Sequence, residues 1–225
     1  MNFVEKIDDS VKIERVLVSA YDKGGLATLV PELLRINPEM VLYSTGGTYR
    51  VIADILGDSK ADRLVAVSEY TGQPEMQGGL VKTLDFRIYL GLLSETYNPA
   101  HRQDLARTGA VAIDMVVANL YPFRNTVAQE EVTPEQARAN IDIGGPCMIR
   151  AAAKNYLRVA SVVDPGDYGA ITAELEQAHG CLSLATRFRL AQKTFAYTAE
   201  YDTAIAAYLG SCTRQQVRGS YPEVL

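Results

Sequence analysis

RVLVSAYDKGGLATLVPELL, residues 15–34, decides the fold. Residues 15–20 (RVLVSA) form an apolar run without polar alternation, the pattern of a strand buried on both faces. Asp22-Lys23-Gly24-Gly25 makes the turn, and Leu26, Leu29, Leu33 and Leu34 then recur at helical spacing. The unit repeats down the chain. Residues 40–43 (MVLY) read as a second strand, and Ser44-Thr45-Gly46-Gly47-Thr48 opens a helix carrying Val51, Ile52 and Ile55. Residues 64–67, 115–118 and 158–163 read as three further strands. Asp164-Pro165 turns into a helix from Tyr168 to about Ala178. This rhythm predicts an α/β fold, a mainly parallel sheet with helices on both faces.

Residues 1–210 read as one domain with a helical C-terminal subregion, and 211–225 as a short tail. Thr133-Pro134-Glu135-Gln136 carries a capping box. Ser183-Leu184-Ala185-Thr186 opens a helix with Leu184, Phe188, Ala191 and Phe195 on one face, continued by Tyr197, Tyr201 and Tyr208. That stripe is read as core or subunit contact.

Across 225 residues, 48% hydrophobic and 22% charged composition excludes a disordered or fibrous chain. A net charge of −5 argues against non-specific binding to nucleic acid. Cys147, Cys181 and Cys212 lack CxxC spacing, and the two histidines are His101 and His179. Neither a disulfide framework, a zinc site nor a histidine triad is expected. The first residues, MNFVEKIDDSVKIER, have no apolar signal core, and no apolar run approaches the ~20 residues that span a bilayer. A cytoplasmic protein without membrane contact is expected.

In an open α/β sheet, ligands bind beyond the carboxyl ends of the strands. Two loops there suit phosphate. Ser44-Thr45-Gly46-Gly47-Thr48 offers hydroxyls and free N–H groups at a helix start, and Asp22-Lys23-Gly24-Gly25 adds an ammonium. A plain tight turn is the other reading of each. Neither is a GxGxxG or Walker loop, so no dinucleotide or triphosphate site is indicated. A third stretch, Ile141-Asp142-Ile143-Gly144-Gly145-Pro146, leads into a helix with Arg150 and Lys154 on one face; on spacing alone that pair reads as a solvated basic face. Eight residues at ~1.5 Å each put Lys154 ~12 Å beyond that start, so Asp142 and Lys154 would reach opposite ends of a ligand. Lys82, Thr83, Asn119 and Tyr121 complete a small-molecule phosphate-ester site.

Taken in order, SAYDKGGL, STGGT, SEYTGQPEMQGGLVKTL, VVANLYPF, IDIGGPCMIRAAAKN and VVDPGDY resemble the IMP cyclohydrolase half of the bifunctional purine-biosynthesis enzyme. The resemblance runs from about Arg15 to Leu209 and implies a methylglyoxal-synthase-like fold. It also implies ring closure of a 5-formamidoimidazole-4-carboxamide ribonucleotide to IMP, with no metal or cofactor. It assigns Lys82 and Tyr121 to oxyanion stabilisation and Asp142 and Lys154 to proton transfer. Lys23, Ser44, Gly46, Gly47 and Thr48 fall to phosphate and ribose, with Thr83 and Asn119 nearby. Ile143, Gly144 and Gly145 fall to the base, through a backbone N–H of the Gly144-Gly145 turn. A homodimer is implied, with the Tyr-rich C-terminal helix as candidate contact. The chain stops at Leu225, so a stand-alone cyclohydrolase is expected, with any transformylase a separate partner.

The chain departs from the resemblance at four places. Leu80 replaces an arginine that would contact phosphate, Asp85 and Tyr89 replace two histidines, and Tyr21 replaces a serine. Arg87 is a candidate to supply the missing charge. These departures motivate the rival reading, a non-catalytic purine-nucleotide-binding module. Methylglyoxal synthase would leave NLYPF, IDIGG and RAAAKN without a purpose.

Overall fold

The computed structural model describes residues 3–60, 62–73 and 82–223. Its strands and helices run β1 (Ser10–Lys12), β2 (Arg15–Ala20), α1 (Leu26–Ile36), β3 (Val41–Ser44), α2 (Gly46–Leu56), β4 (Leu64–Ala66), α3 (Val67–Thr71), α4 (Phe86–Leu93) and α5 (Pro99–Thr108). They continue with β5 (Met115–Asn119), α6 (Phe123–Val127), α7 (Pro134–Ala139), α8 (Gly144–Lys154), β6 (Ala160–Val162), α9 (Tyr168–Gln177), β7 (Cys181–Ser183), α10 (Leu184–Ser211) and α11 (Arg214–Gly219).

Five strands make one parallel sheet in the order β4-β3-β2-β5-β6. The chain enters at β2, moves outward through β3 and β4, then crosses back to β5 and β6. This reversal opens a crevice beyond the carboxyl ends of β2 and β5, where Ala20 lies opposite Asn119. Side chains alternate across the sheet. Val16, Val18 and Val117 pack with Leu29 and Leu33 of α1, Ile52 of α2 and Ile171 of α9. Leu17 and Val116 pack on the other face with Ile88 and Leu92 of α4 and Met148 and Ile149 of α8. The expected layers are therefore present, each strand apolar because both its faces are covered.

The fifth strand is shorter than the 158–163 read from its apolar run. Arg158 turns inward to pair with Asp114 (3.0 Å) and donates to the carbonyls of Ser94 and Gly91. The second Asp114 oxygen accepts the Glu14 and Arg15 N–H groups at 3.1 and 2.9 Å. This buried pair ties together the starts of β2, β5 and β6. An antiparallel pair of β1 with β7 was not anticipated, since each strand is only three residues long.

Of the α10 stripe read as core or subunit contact, only part is core. Leu190, Ala191, Thr194, Thr198, Tyr201 and Arg187 are buried, whereas Phe188 and Phe195 are exposed. Arg187 sets this phase. Its guanidinium donates to the carbonyls of Asp8, Asp9, Tyr156, Leu157 and Leu182, which requires it to point inward. Phe188 rests on Tyr156, and the Arg150 guanidinium lies 5.3 Å from the Phe195 ring centre. The expected tail is partly folded: α11 begins with a Thr213–Gln216 capping box, and Tyr221 Oη donates to Glu135 on α7 (2.8 Å). Among the described residues no helix is long and apolar enough to cross a membrane.

Candidate active site

The crevice at the strand ends holds a cavity of about 440 Å³, bordered by the ends of β2 and β5 and the starts of α2 and α8. Helix α2 starts directly after β3, and no side chain caps its first N–H groups. The Thr45 hydroxyl meets Ser19 Oγ instead, at 3.1 Å. Such a helix start accepts anions. Gly46 has φ +46°, and a Cβ built on it would lie 2.8 Å from Lys82 Nζ. A Cβ on Gly47 would lie 3.7 Å from Lys23 Cε. Two lysines thus flank the same helix start, and Lys23 Nζ is steadied by the Tyr21 carbonyl (3.0 Å).

Two residues read as phosphate contacts have other work. Ser44 is fully buried and donates to the Val18 carbonyl (2.7 Å). Thr48 Oγ1 accepts the Ala20 N–H (3.1 Å) and donates to the Ala20 carbonyl (2.9 Å). Both hydroxyls fasten the loop to β2 and are not aimed at a ligand. The sequence shows a hydroxyl beside a glycine loop but not which way it turns.

At the other end stands Asp142, half-buried. Its Oδ1 accepts the Gly145 N–H (2.9 Å), so the carboxylate caps α8, and the Tyr121 N–H also supports it. Burial outweighs these donors and pushes the carboxyl above its ordinary range. Of the two donors expected at the Gly144-Gly145 turn, that of Gly145 is therefore taken. Thr83 Oγ1 faces Gly144, 3.0 Å from where its Cβ would be, so residues 82 and 83 bridge the two helix starts. Ile143 presents an exposed apolar side chain on the rim.

Asn119 acts as a clamp. Its Oδ1 accepts the Asp22 N–H (2.8 Å) and its Nδ2 donates to the Asp22 carbonyl (2.9 Å), locking the loop after β2 to β5. Tyr121 lines the cavity, its ring centre 5.3 Å from that of Tyr21. Supports from α10 escaped the sequence reading: Tyr197 Oη accepts the Leu120 N–H (3.0 Å) and Tyr201 Oη accepts the Asp142 N–H (2.8 Å). Ser19, the first residue of SAYDKGGL, and Asn140, which carried no motif signal, also line the cavity.

Lys154 is not brought to the site. It ends α8, ten residues beyond Gly144 or ~15 Å along the axis, is exposed, and does not line the cavity. Arg87 does not line the cavity either, and its guanidinium donates to the Tyr70 carbonyl (2.8 Å). Asp85 caps α4 by accepting the Arg87 N–H (2.7 Å), and Tyr89 packs against the α4–α8 core. Leu80 lies outside the described residues.

Gly145 is the tightest point of this site. An added Cβ would fall 2.5 Å from Asp142 Oδ2 and 2.6 Å from Leu120 Cδ2. Alanine would gain up to about 1 kcal/mol of helix propensity. Overpacking costs about 1–3 kcal/mol, and here it pushes on a backbone-anchored carboxylate. Gly145→Ala is therefore expected to lower urea-unfolding stability and weaken ligand binding. Gly144→Ala, facing only the Thr83 hydroxyl at 3.0 Å, should be nearly neutral in stability. Equal stability of the two variants would contradict this packing.

Residues 25–147 match the MGS-like domain family, and residues 152–224 match the AICARFT/IMPCHase bienzyme family. The bifunctional purine biosynthesis protein PurH of Acidithiobacillus ferrooxidans is 44% identical over 214 residues, 95% of this chain and 40% of that protein. That of Sorangium cellulosum is 45% identical over 218 residues, again 95% and 40%. The chain thus spans about 40% of the length of these curated relatives. The crystal structure of ForH superposes with a TM-score of 0.75 at 30% identity, covering 88% of this chain and 97% of that one. With more than half of its length matched, the chain belongs to the MGS-like domain family.

Proposed function

We propose that this chain is an IMP cyclohydrolase, closing the ring of 5-formamidoimidazole-4-carboxamide ribonucleotide to give IMP and water, the last step of de novo purine biosynthesis. The reading rests on one cavity in which an uncapped helix start flanked by Lys23 and Lys82 shares walls with a half-buried carboxylate and an exposed phenol. The phosphate docks at the start of α2, and the imidazole lies over Ile143 toward Asp142 and Tyr121. The carboxamide nitrogen attacks the formyl carbon and a C–N bond forms. One proton from each of the two nitrogens leaves with the formyl oxygen as water. A carboxamide nitrogen is a poor nucleophile, so the site must hold the two substituents together and remove a proton as the bond forms. Asp142, raised in basicity by burial, takes that proton; the Tyr121 phenol and a lysine ammonium stabilise the developing oxyanion.

The test is turnover of the purified chain with this ribonucleotide, followed by absorbance and confirmed by mass. A saturable rate above background is expected. The position of Lys154 outside the cavity supports a second reading, a nucleotide-binding module without turnover. No rate above background, with IMP still binding tightly, would favour it.

A further inference from the structure

Tyr21 follows the last residue of β2, and Tyr121 lies two residues beyond the end of β5, the neighbouring strand. Their rings meet edge to face, with centres 5.3 Å apart and planes at 79°. Both side chains are otherwise open to solvent: Tyr21 is 51% exposed and Tyr121 48%. Tyr121 lines the 440 Å³ cavity. Tyr21 lines that cavity and also a larger one, about 890 Å³, that runs past Asp164 and Lys193 along the ends of β5 and β6. Lys23 and Asn119 line both cavities as well, and Tyr21 is the aromatic member of the partition between the two.

The backbone that carries this partition is fixed from both sides. The Asn119 amide grips Asp22 by its N–H and its carbonyl, and Lys23 Nζ donates to the carbonyl of Tyr21 itself. A half-exposed tyrosine has rotamers to spare, and an edge-to-face neighbour on an anchored loop narrows that choice. From this geometry we infer that Tyr21 is a positioning residue: its ring holds the Tyr121 phenol in the smaller cavity and closes that cavity against the larger one. The inference deepens the cyclohydrolase reading and rests on it for its effect on rate. The edge contact needs an aromatic ring and not its hydroxyl, so phenylalanine should serve in place of Tyr21 and alanine should not.

The experiment compares Tyr21→Ala, Tyr21→Phe, Tyr121→Ala and Tyr21→Ala/Tyr121→Ala in steady-state turnover of the formamido-carboxamide ribonucleotide. Ring NMR of ¹³C-tyrosine-labelled protein is recorded alongside. Tyr21→Ala should lower kcat three- to tenfold with KM changed less than twofold, and Tyr21→Phe should retain the wild-type kcat. In the Tyr121→Ala background, Tyr21→Ala should cost nothing further. The Tyr121 ring resonance should move in Tyr21→Ala and stay in Tyr21→Phe. A wild-type kcat in Tyr21→Ala, a loss equally large in Tyr21→Phe, or full additivity with Tyr121→Ala would overturn the inference while leaving the cyclohydrolase standing. No turnover by the wild-type chain, with the Tyr121 resonance behaving as expected, would overturn the cyclohydrolase reading and keep the ring contact. An unmoved resonance would remove the contact whatever the rates.

Discussion

Asp142→Asn is expected to cut turnover of the formamido-carboxamide ribonucleotide by about 10²–10⁴-fold, the range for loss of a positioned general base. Asparagine keeps the shape and one acceptor oxygen for the Gly145 N–H but loses the second carboxylate oxygen beside the Tyr121 N–H, so the start of α8 should hold with a modest fall in thermal midpoint. The proton acceptor is what disappears. In the wild-type chain burial lifts the Asp142 carboxyl above its ordinary range. Because the ionised form acts as base, the acid limb of the kcat/KM profile should sit higher than that of a solvent-exposed aspartate. That limb should be absent from Asp142→Asn. Near-wild-type turnover, or an unchanged limb in the variant, would remove Asp142 from the chemistry.

The second large effect falls on stability. Arg187 is fully buried, and its guanidinium donates to five backbone carbonyls: Asp8 and Asp9 ahead of β1, Tyr156 and Leu157 after α8, and Leu182 in β7. One side chain thus joins the β1–β7 pair and the segment after α8 to α10. Arg187→Met would fill much of the volume but leave those carbonyls without this donor, each at a cost of about 1–3 kcal/mol where water cannot reach. Relaxation will recover part of that sum, and a net loss of about 3–5 kcal/mol is expected. At about 2–4 °C per kcal/mol for a domain of this size, the midpoint should fall by about 10–15 °C. Lysine should not rescue, since one ammonium cannot reach five carbonyls in a plane. Arg102→Met, on the exposed surface of α5, is the control and should stay within about 0.5 kcal/mol. A drop in Arg187→Met no larger than in Arg102→Met would show that the carbonyls find other partners.

Arg187 also marks the limit of the sequence. An arginine in a helix reads as surface, and the apolar positions 184, 188, 191 and 195 read as core or subunit contact; the buried face of α10 is turned by about one residue from that stripe. The parallel strands were legible because burial on both faces leaves only apolar residues, as in Val16-Leu17-Val18 and Met115-Val116-Val117. Helix α5 was not legible, since none of its residues is buried and its sequence has no apolar period. In the site, spacing and residue type brought Lys23, Lys82, Thr83, Tyr121 and Asp142 to one cavity. They could not tell that Ser44 and Thr48 turn their hydroxyls onto backbone, nor that Lys154 stands at the far end of a straight helix.

The stretch matching the MGS-like domain family ends at residue 147 and the stretch matching the bienzyme family begins at 152, so the two meet inside α8. The loops bearing Tyr121 and Asp142 belong to the first stretch, yet the hydroxyls that hold Leu120 and Asp142 come from Tyr197 and Tyr201 in the second. Seam and scaffold therefore do not coincide. A chimera with an exchanged C-terminal helix would keep Tyr121 and Asp142 but leave the Leu120 and Asp142 N–H groups without these hydroxyls. Each stretch carries its own family signature, yet main-chain anchors of the first are side chains of the second.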